Sequence, residues 1–378
     1  MDEIARHVKV SSEKRYPPLF QDILTGTGHR PHFNRNTDHD FIQLETHVQH
    51  LLGRLADASR DNKPVEISEL LLKLSTDFAT KAVFGQSTDS LLFSREQSSA
   101  QQGGSAAEFS EAANHAIHML GMRGLLINLY WILDSPRFRK SCRIVKRFVD
   151  RYLTEARQSR EKNPATSEPG KEDSTSFMHS LVARNNTPSE VIRDQLLALL
   201  LASRDTSASF AAWVVYALAR SPRVMAKLRG LVEARLPRGK CPMMADMAAL
   251  PYLRHVLNET LRLFPVVPLD GRTAKTHTVL PEGGGVDGKS PLLVPAGAKV
   301  AFNIYALHHR RDIFGDDADE FRPERWEDDR AGPMADFDGA FVPFIIGPRV
   351  CLGSKCLPAR CGALATHCAD PMCQKTWQ

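Results

Sequence analysis

No Cys-x-x-Cys pair occurs among the seven cysteines, which weakens the case for a zinc centre even though Cys351, Cys356, Cys361, Cys368 and Cys373 crowd the last part of the chain. A basic block with interleaved aromatics is missing as well. Lys+Arg 49 and Asp+Glu 44 are interspersed, so the net charge of +5 does not point to nucleic acid. Basic patches of this kind suit an acidic protein partner or an anionic membrane surface. The opening Met1-Asp2-Glu3-Ile4-Ala5-Arg6 has no apolar run of the sort that forms a signal peptide or anchor. The expectation is therefore a reduced compartment with free thiols. No flavin or dinucleotide fingerprint is found. What the chain does have is 378 residues, 42% of them hydrophobic, enough for a large core in one to three domains.

Apolar residues recur at three- and four-residue spacing over 44–55 and 67–84, which predicts core-facing helices with the turn Arg60-Asp61-Asn62-Lys63-Pro64 between them. Residues 94–107 and 158–176 are polar and read as a surface loop and a linker. Before the linker, Arg139, Lys140, Arg143, Lys146 and Arg147 read as the solvated face of a basic helix. The longest helix is expected from Thr187-Pro188-Ser189-Glu190, an N-cap, a proline at the first helical position and a capping-box glutamate, to Ser221-Pro222. It reads as buried on most faces, and the charges of Arg204 and Asp205 at its centre exclude a membrane span. Further helices are predicted over 225–236 and 251–264. Strands are predicted over 273–280 and 292–304, joined by a glycine-rich loop at 282–288.

Three stretches carry chemistry. Phe344-Ile345-Ile346-Gly347-Pro348-Arg349-Val350-Cys351-Leu352-Gly353 sets one cysteine in a glycine-bracketed loop beside an arginine. Positive charge and free N–H groups there would favour a metal-ligating thiolate, and glycines would let a flat group approach closely. A structural cysteine in an apolar turn is the other reading. Ala202-Ser203-Arg204-Asp205-Thr206 places an acid next to an alcohol inside a buried helix, a pair that can deliver protons or take part in an interhelical salt bridge. Glu259-Thr260-Leu261-Arg262 puts two opposite charges on one helical face, which by itself says little. The adjacent His308 and His309 lack a further ligand nearby and read as ordinary polar residues.

The loop pattern F-x-x-G-x-R-x-C-x-G is complete. With the acid–alcohol stretch, Glu259-x-x-Arg262 and Phe321-Arg322-Pro323-Glu324-Arg325-Trp326 following in order, it resembles the cytochrome P-450 monooxygenases. The resemblance implies a mainly α fold with a small β portion and haem b held by the Cys351 sulfur. Arg349 and Arg272 would reach haem propionates, and Phe344, Gly347 and Gly353 would shape the loop. It implies proton handling by Asp205 and Thr206. Glu259, Arg262 and Arg325 would form a buried network behind the loop, and Val266, Val267, Leu269 and Ala202 would line the substrate pocket. The wording of the motifs is similar to the fungal branch that hydroxylates n-alkanes and fatty acids at the terminal carbon. Dioxygen, an NADPH–cytochrome P-450 reductase and the cytoplasmic face of the endoplasmic reticulum membrane are implied with it, while the lack of an anchor leaves a cytoplasmic location open.

Three departures shape the remaining expectations. Ser203 stands where the family has glycine and could add a hydroxyl to the oxygen pocket. The N-terminal anchor, the sheet region and a Trp- and Arg-bearing helix are not recognisable, since the first Trp is Trp131. After Gly353 a long apolar helix is replaced by a Cys-rich run without amphipathic period. The expected organisation is an incomplete haem domain over 1–353 and an atypical tail over 354–378, as in a truncated product. Two rivals stand beside a working monooxygenase: a catalytically silent haem-protein fragment, and a small metal-binding or interaction protein using the terminal cysteines.

Overall fold

A computed structural model of the chain describes residues 37–92, 104–162, 177–182, 187–236, 242–327, 339–347, 350–354 and 356–369. These are mainly helical with two short antiparallel strand pairs, as the resemblance implied. Two compact units are present, one of residues 46–57 and 65–205, the other of 1–45, 58–64 and 206–378. Helices α1 (Thr37–Arg60) and α6 (Ser189–Arg220) contribute residues to both.

The first unit contains α2 (Ile67–Phe84), α3 (Gly104–Leu125), a 3-10 turn at Ile127–Leu133, α4 (Pro136–Lys162) and α5 (Phe177–Val182). The periodicity over 67–84 thus becomes a helix of that span. It stops where Gly85 adopts a left-handed φ of 82° and its N–H closes on the Lys81 carbonyl. Aromatic side chains fill the core. Phe84 stacks on Tyr152 with centroids 4.8 Å apart, and Phe109 stacks on Phe148 at 4.0 Å. The expected loop at 94–107 yields to helix from Gly104 on, and the expected linker at 158–176 is helical to Lys162; what lies between 93 and 103, or between 163 and 176, is outside the described residues.

In the second unit, α7 (Pro222–Arg235), α8 (Met244–Ala248) and α9 (Pro251–Leu263) precede the strands β1 (Leu269–Thr273), β2 (Thr278–Gly284), β3 (Ser290–Val294) and β4 (Lys299–Asn303). Proline opens both α7 and α9, where its missing N–H needs no partner, and Pro265 follows the last turn of α9, which it cannot continue. The strands pair β1 with β4 and β2 with β3, so each of the single strands expected over 273–280 and 292–304 falls into two strands of different pairs. Glu282, Gly283 and Gly284 belong to β2 instead of the connecting loop, and at Gly284 any Cβ would lie 2.4 Å from the Pro291 carbonyl oxygen. Short helices α10 (Ile304–His308) and α11 (Arg311–Phe314) lead to a 3-10 turn at Pro323–Trp326.

Part of the span expected as an atypical Cys-rich tail, 354–378, is a regular helix; residues 355 and 370–378 lie outside the described residues. After the 3-10 turn Leu352–Ser354, residues Cys356–Ala369 form a helix, α12, packed on α7, α8 and α9. Leu357, Cys361, Ala363, Leu364, Ala365 and Ala369 are buried. The pattern was masked because cysteine and alanine act here as small apolar residues, and because Pro358 falls in the first turn, where helices tolerate it. A Cβ on Gly362 would meet Met247 Sδ at 3.3 Å and Leu253 Cδ2 at 3.5 Å, so glycine sets how closely α12 approaches its neighbours. Arg229 Nε donates to the Ala369 carbonyl at 3.1 Å and closes the helix end. Leu364→Ala is expected to lower stability by about 2–4 kcal/mol in denaturant unfolding, the cost of a buried cavity; an effect under about 0.5 kcal/mol, typical of a surface site, would place α12 outside the core.

Candidate functional site

Glu259 lies in the middle of α9 with no exposed surface, and its carboxylate is fully engaged. Arg262, one helical turn on, donates from Nε to Oε2 at 3.0 Å and from Nη2 to Oε1 at 2.9 Å. Arg325 Nε reaches Oε1 at 3.0 Å, Trp326 Nε1 reaches Oε2 at 3.0 Å, and the Arg322 backbone N–H reaches Oε1 at 3.1 Å. The guanidinium hydrogens left over go to backbone carbonyls: Arg262 to His308, Ala318 and Glu320, and Arg325 to Phe314 and Asp317. Burial works against the Arg325 charge, but Glu259 and Asp317 outweigh it and raise its pKa. This is the network expected of Glu259, Arg262 and Arg325, and Trp326 and the carbonyl acceptors extend it.

The same network reaches the cysteine loop through a residue read from sequence as an ordinary polar one. His308 is buried at the end of α10; its carbonyl accepts from Arg262, and its ring Nε2 accepts the backbone N–H of Val342 at 3.0 Å. Only a neutral imidazole offers that lone pair. Desolvation brings the His308 pKa down to about 4, against the partial upward pull of the Leu261 and Arg262 backbone.

From Val342 the loop is tied by its own backbone. The N–H of Ile345 bonds the Val342 carbonyl at 3.1 Å, that of Cys351 bonds Phe344 at 3.0 Å, and that of Val350 bonds Gly347 at 3.1 Å. Gly347 takes φ 80°, and Ile345, a β-branched residue, takes φ 61°. Ile345 is the strained position of the loop. Arg349 and Pro348 lie outside the described residues.

The Cys351 side chain is open to solvent, yet surrounding protein crowds it. Desolvation pushes its thiol pKa up, and the Gly353 N–H only partly opposes this. The Cys351 N–H is spent on Phe344, so among the described residues the Gly353 N–H is what draws the sulfur toward charge; the Arg349 charge on which the thiolate expectation also rests lies outside the described residues. The surroundings nonetheless fit a flat, metal-bearing group. The sulfur is accessible, and among the described residues a Cβ at Gly353 would meet only that sulfur, at 3.6 Å, so the space beside it is kept clear. No group of three or more His, Cys, Asp or Glu among the described residues could hold a metal by side chains alone, and Cys361 is buried in α12 near the Ser207 carbonyl.

In the first unit, Asp205 is half-buried on α6 and its Oδ1 accepts from Arg204 Nη1 at 2.8 Å. Arg204 is fully buried and also donates to Thr76 Oγ1 at 2.8 Å, Asn114 Oδ1 at 2.6 Å and Ser110 Oγ at 3.3 Å. Arg204 thus joins α6 to neutral side chains of α2 and α3, while its ion pair with Asp205 lies within α6, in place of the interhelical salt bridge held open in the sequence. Burial lowers the Arg204 pKa and raises that of Asp205, and the pair offsets part of both shifts. Ser203 turns its hydroxyl back to the Leu200 carbonyl at 3.2 Å, so that hydroxyl is spent within its own helix.

The other expected site residues lie apart from these contacts. Arg272 on β1 pairs with Asp270 at 2.9 Å and donates to the Gly271 carbonyl. Val267 and Leu269 are exposed, Val266 is half-buried, and Ala202 is exposed on α6. No helix among the described residues is long and apolar enough to cross a membrane.

A family model described as cytochrome P-450 matches residues 34–356. Cytochrome P-450 monooxygenase g430 of a Fusarium species is 38% identical over 86% of this chain and 57% of its own length. Cytochrome P-450 monooxygenase alt2 of Alternaria solani is 39% identical over 86% and 62%. Cytochrome P-450 52A5 of Candida maltosa is 36% identical over 86% and 61%. The chain therefore spans about three-fifths of the length of these relatives.

Removing one member of a buried charge network leaves another unpaired, so Arg325→Met is expected to cost about 3–5 kcal/mol in urea unfolding. A loss below about 1 kcal/mol would reduce the network to a surface-like pair. A second expectation concerns acid. The folded-state pKa of His308 lies below the ordinary 6.5. Its contribution is therefore fully present above that value and lost as pH falls from about 6.5 toward 4, roughly 3 kcal/mol in all. The unfolding free energy of His308→Gln should fall less over this window than that of the parent chain; parallel profiles would contradict the buried neutral ring.

Proposed function

The chain belongs to the cytochrome P-450 family, and from that premise we propose that it is the haem-binding part of a monooxygenase that hydroxylates an apolar, chain-like substrate. The observation that carries the reading is the accessible Cys351 sulfur in a loop whose backbone is closed on Phe344 and tied through His308 to the Glu259 network. Haem b, which Cys351 would hold with Phe344, Gly347 and Gly353 shaping its seat and Arg349 reaching a propionate, supplies the oxygen-activating chemistry when bound. One oxygen atom of dioxygen enters a C–H bond and the other leaves as water, with two electrons from an NADPH-dependent reductase.

The protein's own part is to orient the substrate and manage protons. The raised pKa of Asp205 lets it keep a proton to higher pH than a free aspartate, and its bond to Arg204 fixes one carboxylate oxygen. Thr206, the next residue, offers a hydroxyl for the same transfer. Val266, Val267 and Leu269 supply apolar surface for substrate, and Arg272, now paired with Asp270, is the candidate second propionate partner. Resemblance of the motifs to the fungal alkane and fatty-acid branch supports a fatty acid or n-alkane as substrate. The same resemblance supports the cytoplasmic face of the endoplasmic reticulum membrane as the location.

Full chain reconstituted with haem, reduced and exposed to carbon monoxide, is expected to show the strongly red-shifted Soret band of a thiolate ligand. Cys351→Ala should lose that band. Asp205→Asn should keep it while slowing fatty-acid hydroxylation by about 100-fold or more. Retention of the shifted band in Cys351→Ala would end the haem-thiolate reading.

A further inference from the structure

We propose that His308 is a positioning residue for Cys351, holding the ligand loop in register with the buried Glu259 network. This rests on the haem-thiolate reading for its purpose, although the contacts that carry it do not involve the haem. His308 is the residue at which two sets of bonds meet. Its backbone carbonyl takes a hydrogen bond from Arg262 Nη1 at 2.9 Å, and its ring takes one from the Val342 N–H at 3.0 Å. The ring also lies against Phe341, with centroids 5.2 Å apart. Val342 is buried, so its N–H has no recourse to water if the imidazole is removed.

Beyond Val342 the bonds continue to the sulfur-bearing residue: Ile345 N–H to the Val342 carbonyl, then Cys351 N–H to the Phe344 carbonyl. The loop between holds Ile345 at φ 61°, a conformation a β-branched residue keeps only where the surroundings impose it. A side chain anchored in the charge network and accepting the first N–H of the loop is such an imposed constraint. Its removal lets Ile345 relax and releases the Phe344–Cys351 closure, which changes where the sulfur points. A residue serving only as core filler would be replaceable by any ring of similar volume. His308 is not, because the lone pair on Nε2 is what the loop uses.

The test compares His308→Phe, which keeps a ring beside Phe341 but has no acceptor, with His308→Gln, whose amide oxygen can accept from Val342. Hydrogen exchange is read on the haem-free full chain, and the reduced carbon monoxide spectrum on the haem-loaded chain. In His308→Phe the Cys351 amide should exchange roughly tenfold faster or more, while the amides of Ser90 and Leu91, bonded to Asp77 in the other unit, stay at the parent rate. His308→Gln should restore slow exchange at Cys351. On the loaded chain, His308→Phe should shift amplitude from the red-shifted to the unshifted Soret band, and His308→Gln should return it. Parent-like exchange at Cys351 in His308→Phe, or failure of Gln to restore it, would overturn the proposal. A parent chain with no red-shifted band would sink the haem-thiolate reading instead, while the exchange rates would still decide the positioning role.

Discussion

One carboxylate, that of Glu259, organises the second unit. A charge with no exposed surface is costly unless its lone pairs are filled, and here two guanidinium groups, an indole N–H and a backbone N–H fill them. Each donor comes from a segment that must therefore stay in place: α9 itself, the backbone at Arg322, and the 3-10 turn of Arg325 and Trp326. The arginines in turn hold the carbonyls of His308, Phe314, Asp317, Ala318 and Glu320. A stretch with only short helices and turns is thereby fixed from within, without a large apolar face of its own. The Cys351 loop is joined to this order through His308 and Val342.

Asp205, the acid proposed to handle protons, is organised on the same principle with a different partner set. Arg204 has no exposed surface and spreads its donors over Thr76, Ser110, Asn114 and Asp205, tying α6 to α2 and α3 within the first unit. The Ser75 hydroxyl adds a bond to the Arg204 carbonyl at 2.6 Å. Asp205 is thus a group whose burial favours the neutral form and whose neighbour favours the charged one. That balance suits a residue that takes and gives protons, and it depends on helices distant in sequence.

Part of this was legible in the sequence. Glu259-x-x-Arg262 said little by itself, and the network with Arg325 was expected only because the ordered motifs resemble the family; the proline signals at 188 and 222 bracketed α6, and those at 251 and 265 bracketed α9. The network's reach was not legible, because backbone carbonyls and N–H groups carry no residue identity. His308 was discounted for the same reason: its partners are a carbonyl chain and the N–H of Val342, neither visible as a motif. The helix after Gly353 was missed because periodicity was sought in large apolar residues, while α12 packs through Cys361, Gly362 and alanines. The thiolate character expected of Cys351 rests partly on the Arg349 charge, which lies outside the described residues; among those described, desolvation works against it and the Gly353 N–H works for it.

The central claim is that the Glu259 network, and not stability in general, holds Cys351 in a ligating position. It is tested by comparing Glu259→Gln with Phe148→Ala, a core change in the other unit, under conditions of matched unfolding free energy, and measuring the fraction of haem bound with thiolate ligation. The account predicts that Glu259→Gln loses most of the red-shifted carbon monoxide band while Phe148→Ala keeps it. Equal retention in the two variants would contradict it.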